Sequence, residues 1–423
     1  MRLGASGQRE GGRATVRRDA AARRCGACGR RVASARHGGG RWSRAGGGRC
    51  PASPGGSFIS SPHGRYLAAR PRIYGIRSPG LAERRQVSQR SIVYDHAYSI
   101  STYTGFCLPP MMASRYPSEM PRNDRHEVKF LSQNVMLAER LRANGFHTAG
   151  AASHFLFAPA LGWIDGFERF DRVPGEGTAP LRSSVDSFHS SRGLADDAIK
   201  LLSDPKIVDG RFFLWIHFLD PHKQYLEHKW FSNFGRDDRA LYDGEIAYTD
   251  FHIGRVLDSL ASSPLHDRTV VILTADHGEA FGEHGEYGHG RHIWEEIVHI
   301  PLMVFVPGAP ARRIESRMSV VEIAPTLLEL AGLPEDPGAR GHSFVAELFG
   351  GELPERPVLI DQPKNPYYPL KRAFIHRGDT SSTFSRIPRH TSFSISRARS
   401  GRTERPRIEP AARRSSSVRV APR

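Results

Sequence analysis

Residues 269–308 read TVVILTADHGEAFGEHGEYGHGRHIWEEIVHIPLMVFVPG. Two apolar runs bracket a polar, glycine-rich stretch: Thr269-Val-Val-Ile-Leu-Thr274 on one side, Leu302-Met-Val-Phe-Val306 on the other, closed by Pro307-Gly308. Apolar runs without alternation are what strands covered on both faces require. Asp276 and His277 follow the first run directly. In open α/β sheets ligands bind beyond the carboxyl ends of the strands, and a carboxylate next to an imidazole suits a divalent metal. The plainer alternative is an Asp that caps the next helix beside an exposed His. Against it, His277, His284 and His289 fall within 13 residues, interleaved with Gly278, Gly282, Gly285, Gly288 and Gly290. Glycines let backbone come close to a ligand.

Working outward, strand and helix signals alternate. Ser91–Tyr94 reads as a short strand, 130–144 as a helix stopped by Gly145, and His147–Ser153 as a strand. Residues 194–203 read as a helix, Phe212–Leu219 as a strand buried on both faces, 239–261 as a long helix, 320–331 as another and Val358–Ile360 as a last strand. This alternation predicts an α/β fold: a doubly wound, mostly parallel sheet sandwiched by helices.

Charge divides the chain in three. Its 423 residues carry a formal charge of +16. Residues 1–90 hold 20 Arg, no Lys and 3 acids; residues 377–423 hold 12 Arg, no Lys and 3 acids; the stretch between is net acidic, at −10. The basic character therefore belongs to the ends, and it does not make the central region a nucleic-acid binder. Residues 1–90 and 374–423 read as basic low-complexity segments, disordered or translated out of frame, around a catalytic region at 91–373. Genuine basic tails that bind anions are the other reading. Cys25, Cys28, His37 and Cys50 have irregular spacing for a zinc knuckle. No apolar run of about 18 residues predicts a transmembrane helix.

The quoted block resembles the signature of the sulfatase/alkaline-phosphatase superfamily, in which a strand ends in Ser/Thr-x-Asp-His-Gly-Glu. A glycine-rich turn with Lys or His and a Tyr-Glu-Glu segment then follow. Here the turn carries His289, and Trp294-Glu295-Glu296 stands for the Tyr version. The resemblance continues through Ile323–Leu328 and Gly332. It implies a metal-dependent hydrolase of sulfate or phosphate esters, of small-molecule, glycan or lipid-headgroup type. It implies a divalent cation (Ca, Mg, Mn or Zn) on Asp276 and His277, and a periplasmic, extracellular or membrane-attached setting. No specific nucleic-acid partner is expected. The alternatives are a phosphoryl or phosphoalcohol transferase of the same superfamily, an inactive relative, and, from another class, a basic nucleic-acid or anion binder.

The resemblance also assigns roles. Asp220-Pro221-His222 matches the Asp-Pro-His-x-Pro-Tyr of relatives, with Gln224 where Pro is usual. It makes Asp220, His222 and His289 substrate contacts and His222 and His289 candidates for protonating the leaving group; His217 reads as a core histidine. The nucleophile lies 12 residues before the Tyr of a Tyr-Pro pair, and counting back from Tyr116 gives Thr104. Cys107 stands only nine residues away, and Met111 occupies the place of the Arg that the formylglycine motif requires. Two further acidic ligands expected from the first strand have no counterpart: residues 1–90 contain only Glu10, Asp19 and Glu83.

Overall fold

The computed structural model describes residues 91–123, 128–174, 189–228, 234–365 and 369–376, and the backbone of three strands at 55–61, 379–384 and 392–395. The strands are β1 (Gly55–Ser61), β2 (Ile92–Tyr98), β3 (His147–Ala152), β4 (Arg169–Arg172), β5 (Phe212–His217), β6 (Thr269–Ala275), β7 (Ala280–Phe281), β8 (Tyr287–Gly288), β9 (His299–Phe305), β10 (Arg312–Ser319), β11 (Val358–Gln362), β12 (Lys371–His376), β13 (Asp379–Phe384) and β14 (Ser392–Ile395). The five longest helices are α1 (Thr104–Ala113), α2 (Leu137–Ala143), α3 (Ser191–Ser203), α4 (Asp238–Ala261) and α5 (Ile323–Leu330).

Eight strands form one sheet in the order β10-β2-β9-β6-β1-β5-β3-β4. All neighbours are parallel except β9, which runs antiparallel to both β2 and β6. The alternation of strand residues explains the two layers of helices. In β5, Phe213 and Trp215 point into a core shared with α1, α2 and α5, while Phe212, Leu214 and Ile216 point into a second core under α3 and α4. In β6, Val270 and Ile272 enter the first core and Val271 the second. Both faces are buried, as the unbroken apolar runs require. β11 to β14 form a separate antiparallel sheet, seated through Val358, Ile360, Ala373 and Ile375 on Tyr98, Ile293 and Val298.

Three sequence expectations differ from this architecture. The sheet does not begin at residue 91. β1 lies at its centre, in parallel register with β5 (Ile59 opposite Ile216) and β6 (Ser61 opposite Ala275). A seven-residue strand inside 90 residues of Arg- and Gly-rich sequence leaves composition almost unchanged, so a window average misses it. Likewise β13 and β14 extend the second sheet beyond 373. The helix expected over 130–144 contracts to α2, with Leu131 and Val135 each 40% exposed. The remainder of both basic ends, including Cys25, Cys28, His37 and Cys50, lies outside the described residues. Among the described residues no helix is long and apolar enough to cross a membrane.

Candidate active site

The site forms where β6 ends. Asp276 and His277 are buried, and the turn after them is tight enough to demand glycine: a Cβ on Gly278 would stand 2.2 Å from the Glu296 carbonyl oxygen. Gly278 N–H donates to the Ile297 carbonyl at 2.6 Å, locking the turn. Asp276 Oδ1 accepts the His277 backbone N–H at 2.9 Å. Its Oδ2 is buried and accepts no hydrogen bond, with His277 Nε2 3.4 Å away. Burial pushes the Asp276 carboxyl above its ordinary range and the His277 imidazole well below its own.

His277 Nδ1 lies 2.9 Å from the Gly278 carbonyl oxygen. A carbonyl only accepts, so Nδ1 carries the proton and Nε2 of the neutral ring keeps its lone pair. That Nε2 faces Thr104 Oγ1 at 3.1 Å. Thr104 is the first residue of α1, whose amino-terminal N–H groups and macrodipole favour an anion. Cys107 points elsewhere. Its side chain is buried, its thiol pushed well up by burial, and its Sγ lies 3.4 Å from Ser99 Oγ. Ser99 Oγ also donates to the Asp276 carbonyl. The loop before Thr104 is tied to β11: Gln362 Oε1 accepts from Ser101 Oγ at 2.6 Å and Thr102 Oγ1 at 3.0 Å.

Two further histidines close on this pair. The His289 ring lies 4.3 Å from that of His277 and 5.9 Å from that of His222. His289 Nδ1 contacts both oxygens of Glu279, at 3.1 and 3.2 Å, and Glu279 also accepts from Tyr225 Oη at 2.8 Å. Burial alone would lower the His289 pKa, but the Glu279 carboxylate outweighs it and the ring stands above its usual range. Burial works to raise the Glu279 carboxyl, yet His289 and Tyr225 hold it down to about 2. His217, at the end of β5, is buried against Phe157, and that burial brings it down to about 4.

Asp220 does not join them. Its carboxylate is buried and accepts from Ser190 N–H, Ser191 N–H and the hydroxyls of both serines at 2.7 to 3.3 Å. These are the groups at the start of α3, so Asp220 caps that helix and anchors the loop. Glu245 on α4 accepts the backbone N–H groups of His222 at 3.2 Å and Leu226 at 2.8 Å. Sequence reading did not single out Glu279, Gln362 or Glu245. Glu279 stood in the quoted motif, whereas nothing around Gln362 or Glu245 distinguishes them from solvated polar residues.

A divalent cation fits Asp276 and His277 as far as they go, since an unpartnered buried carboxylate oxygen and a neutral imidazole are suitable donors. Among the described residues no group of three or more His, Cys, Asp or Glu side chains is arranged to hold one. The end of β1, in register with Ala275, carries Ser60 and Ser61 and no acid.

Fold and site together define a doubly wound α/β protein with a hydroxyl, a carboxylate and imidazoles gathered at the carboxyl ends of its strands. The sulfatase family profile matches residues 72–333, and the chain belongs to that family. Mouse arylsulfatase K is 30% identical over 182 residues, covering 42% of this chain and 32% of the relative, so the chain spans about a third of its length. Solved structures that share the fold include the following two. The phosphonate monoester hydrolase of Agrobacterium radiobacter has a TM-score of 0.65 and 18% identity, covering 81% of this chain and 89% of that one. A 2-O GAG sulfatase has a TM-score of 0.64 and 16% identity, covering 79% and 83%.

Proposed function

We propose that the chain hydrolyses sulfate or phosphate esters through a covalent Thr104 intermediate. The observation that carries this reading is the 3.1 Å approach of Thr104 Oγ1 to the unprotonated Nε2 of His277 at the head of α1. Thr104 Oγ1 would bond to the sulfur or phosphorus, its proton passing to His277 Nε2, while the bond to the ester oxygen breaks. The departing alcohol takes a proton from His289, whose protonated form Glu279 favours, or from His222. Water then releases the anion from Thr104. Asp276 would hold a divalent cation, which when bound supplies positive charge beside the transferring oxygens; His277 Nε2, the one lone pair of that ring, would serve either that cation or the threonine proton, not both in one step. A threonine cannot become formylglycine, which makes phosphate esters at least as suitable as sulfate esters. The likeness to both a sulfatase and a phosphonate monoester hydrolase supports the pair of classes.

Turnover of aryl sulfate and aryl phosphate esters tests the assignment. Thr104→Ala is expected to eliminate it and Cys107→Ala to leave most of it. An active Thr104 variant, or a dead Cys107 variant that is folded, overturns the role. The inactive-relative reading has one observation in its favour, the serines at the end of β1, opposite Thr274 and Ala275, where the family resemblance expects acids.

A further inference from the structure

The loop that carries His222 is gripped by one helix. α4 presents Glu245 and Thr249, four residues apart and so on the same face, to the segment 220–226. Glu245 Oε2 accepts the His222 N–H at 3.2 Å and Oε1 the Leu226 N–H at 2.8 Å. Thr249 Oγ1 donates to the Asp220 carbonyl at 3.0 Å. Glu245 is 3% exposed. Burying a carboxylate is costly unless it is paired or hydrogen-bonded, and here the bonds it makes run to the backbone on either side of His222 and Tyr225. The two oxygens span residues 222 and 226, a geometry that neither an amide nor a shorter carboxylate reproduces. Tyr225 in turn bonds Glu279, the partner of His289.

We infer that Glu245 is a positioning residue for the reaction: by holding the His222 and Leu226 amides it sets the His222 ring beside His289. The inference rests on the reading of His222 as a substrate contact. A ring displaced by about 1 Å costs on the order of 10²-fold in rate.

The test is a double-variant cycle in the full chain, with 4-nitrophenyl sulfate and phosphate as substrates. E245Q is expected to lower kcat on the order of 10²-fold while KM stays within about threefold, the pattern of lost transition-state contact. The double variant E245Q/H222A should be no slower than H222A alone, because Glu245 acts through His222. An additive cycle, or an E245Q enzyme with wild-type kcat, overturns the inference. If E245Q does not fold, E245D enters the cycle with the same expectation of non-additivity. If the wild type turns over neither ester, the cycle is read on its dissociation constants for sulfate and phosphate. A wild type that also binds neither anion overturns the proposed function and this inference together. An additive cycle on a working wild type overturns this inference alone.

Discussion

At the scale of single residues, the decision between Thr104 and Cys107 turns on what each side chain faces. The two lie one turn apart on α1, yet only Thr104 meets His277; Cys107 is turned into the interior beside Ser99. His277 owes its usefulness to its own backbone neighbour, because the Gly278 carbonyl fixes the tautomer. The same Nε2 lone pair can accept the threonine proton or bind a cation. Asp276→Ala and His277→Ala are each expected to lower bound divalent metal below one equivalent, since the described residues offer few other donors. Elemental analysis of the purified wild type and variants checks this. Equal metal in all three proteins, or none in the wild type, would remove the metal from the site.

At the scale of elements, the loop after β5 is a device for bringing His222 to the strand ends. Asp220 fastens it to the start of α3, and Glu245 and Thr249 fasten it to α4. Losing the carboxylate leaves the first amides of α3 without acceptors in a buried setting. Asp220→Ala is therefore expected to destabilise the fold by roughly 1–3 kcal/mol, read as a lower urea midpoint at unchanged slope. A midpoint equal to wild type would show that α3 does not depend on this cap. The position looked functional in sequence because an acid after a buried strand is common to ligand contacts and to helix caps. Only the location of Ser190 and Ser191 reveals the cap.

At the scale of the whole molecule, buried titratable groups outside the site tie stability to pH. Burial raises the Glu322 carboxyl to about 7 and the Glu245 carboxyl to about 9, from an ordinary 4.5. The folded state thus binds more protons than the unfolded one between about 4.5 and 9, so these groups lose their contribution as pH rises through that window. Burial lowers His228 to about 3 from 6.5, so its contribution is lost as pH falls below 6.5. The two effects oppose each other from pH 4.5 to 6.5, and above that only the two carboxyls, of these three groups, still titrate. The denaturation midpoint is expected to fall between pH 6.5 and 9. A midpoint that rises over that range contradicts the assignment, and Glu322→Gln should flatten the lower part of the slope.

What the sequence determined by itself was local and periodic. The unbroken apolar runs of β5 and β6 announced a sheet covered on both faces. The dense His and Gly stretch after Thr274 pointed to the strand end where Thr104, His277 and His289 gather, and the family resemblance, through its spacing to Tyr116, pointed to Thr104. Tertiary structure decided what depends on distant partners. It set Ser57–Ser60 of β1 between β5 and β6 at the centre of the sheet, although the surrounding composition reads as a basic tail. It made Asp220 the cap of α3, and it joined Glu245 and Gln362 to the loops of His222 and Thr104. Periodicity reports which face of an element is buried. It carries no information on which polar groups meet across 20 to 260 residues of chain, because those meetings are fixed by the packing of whole elements.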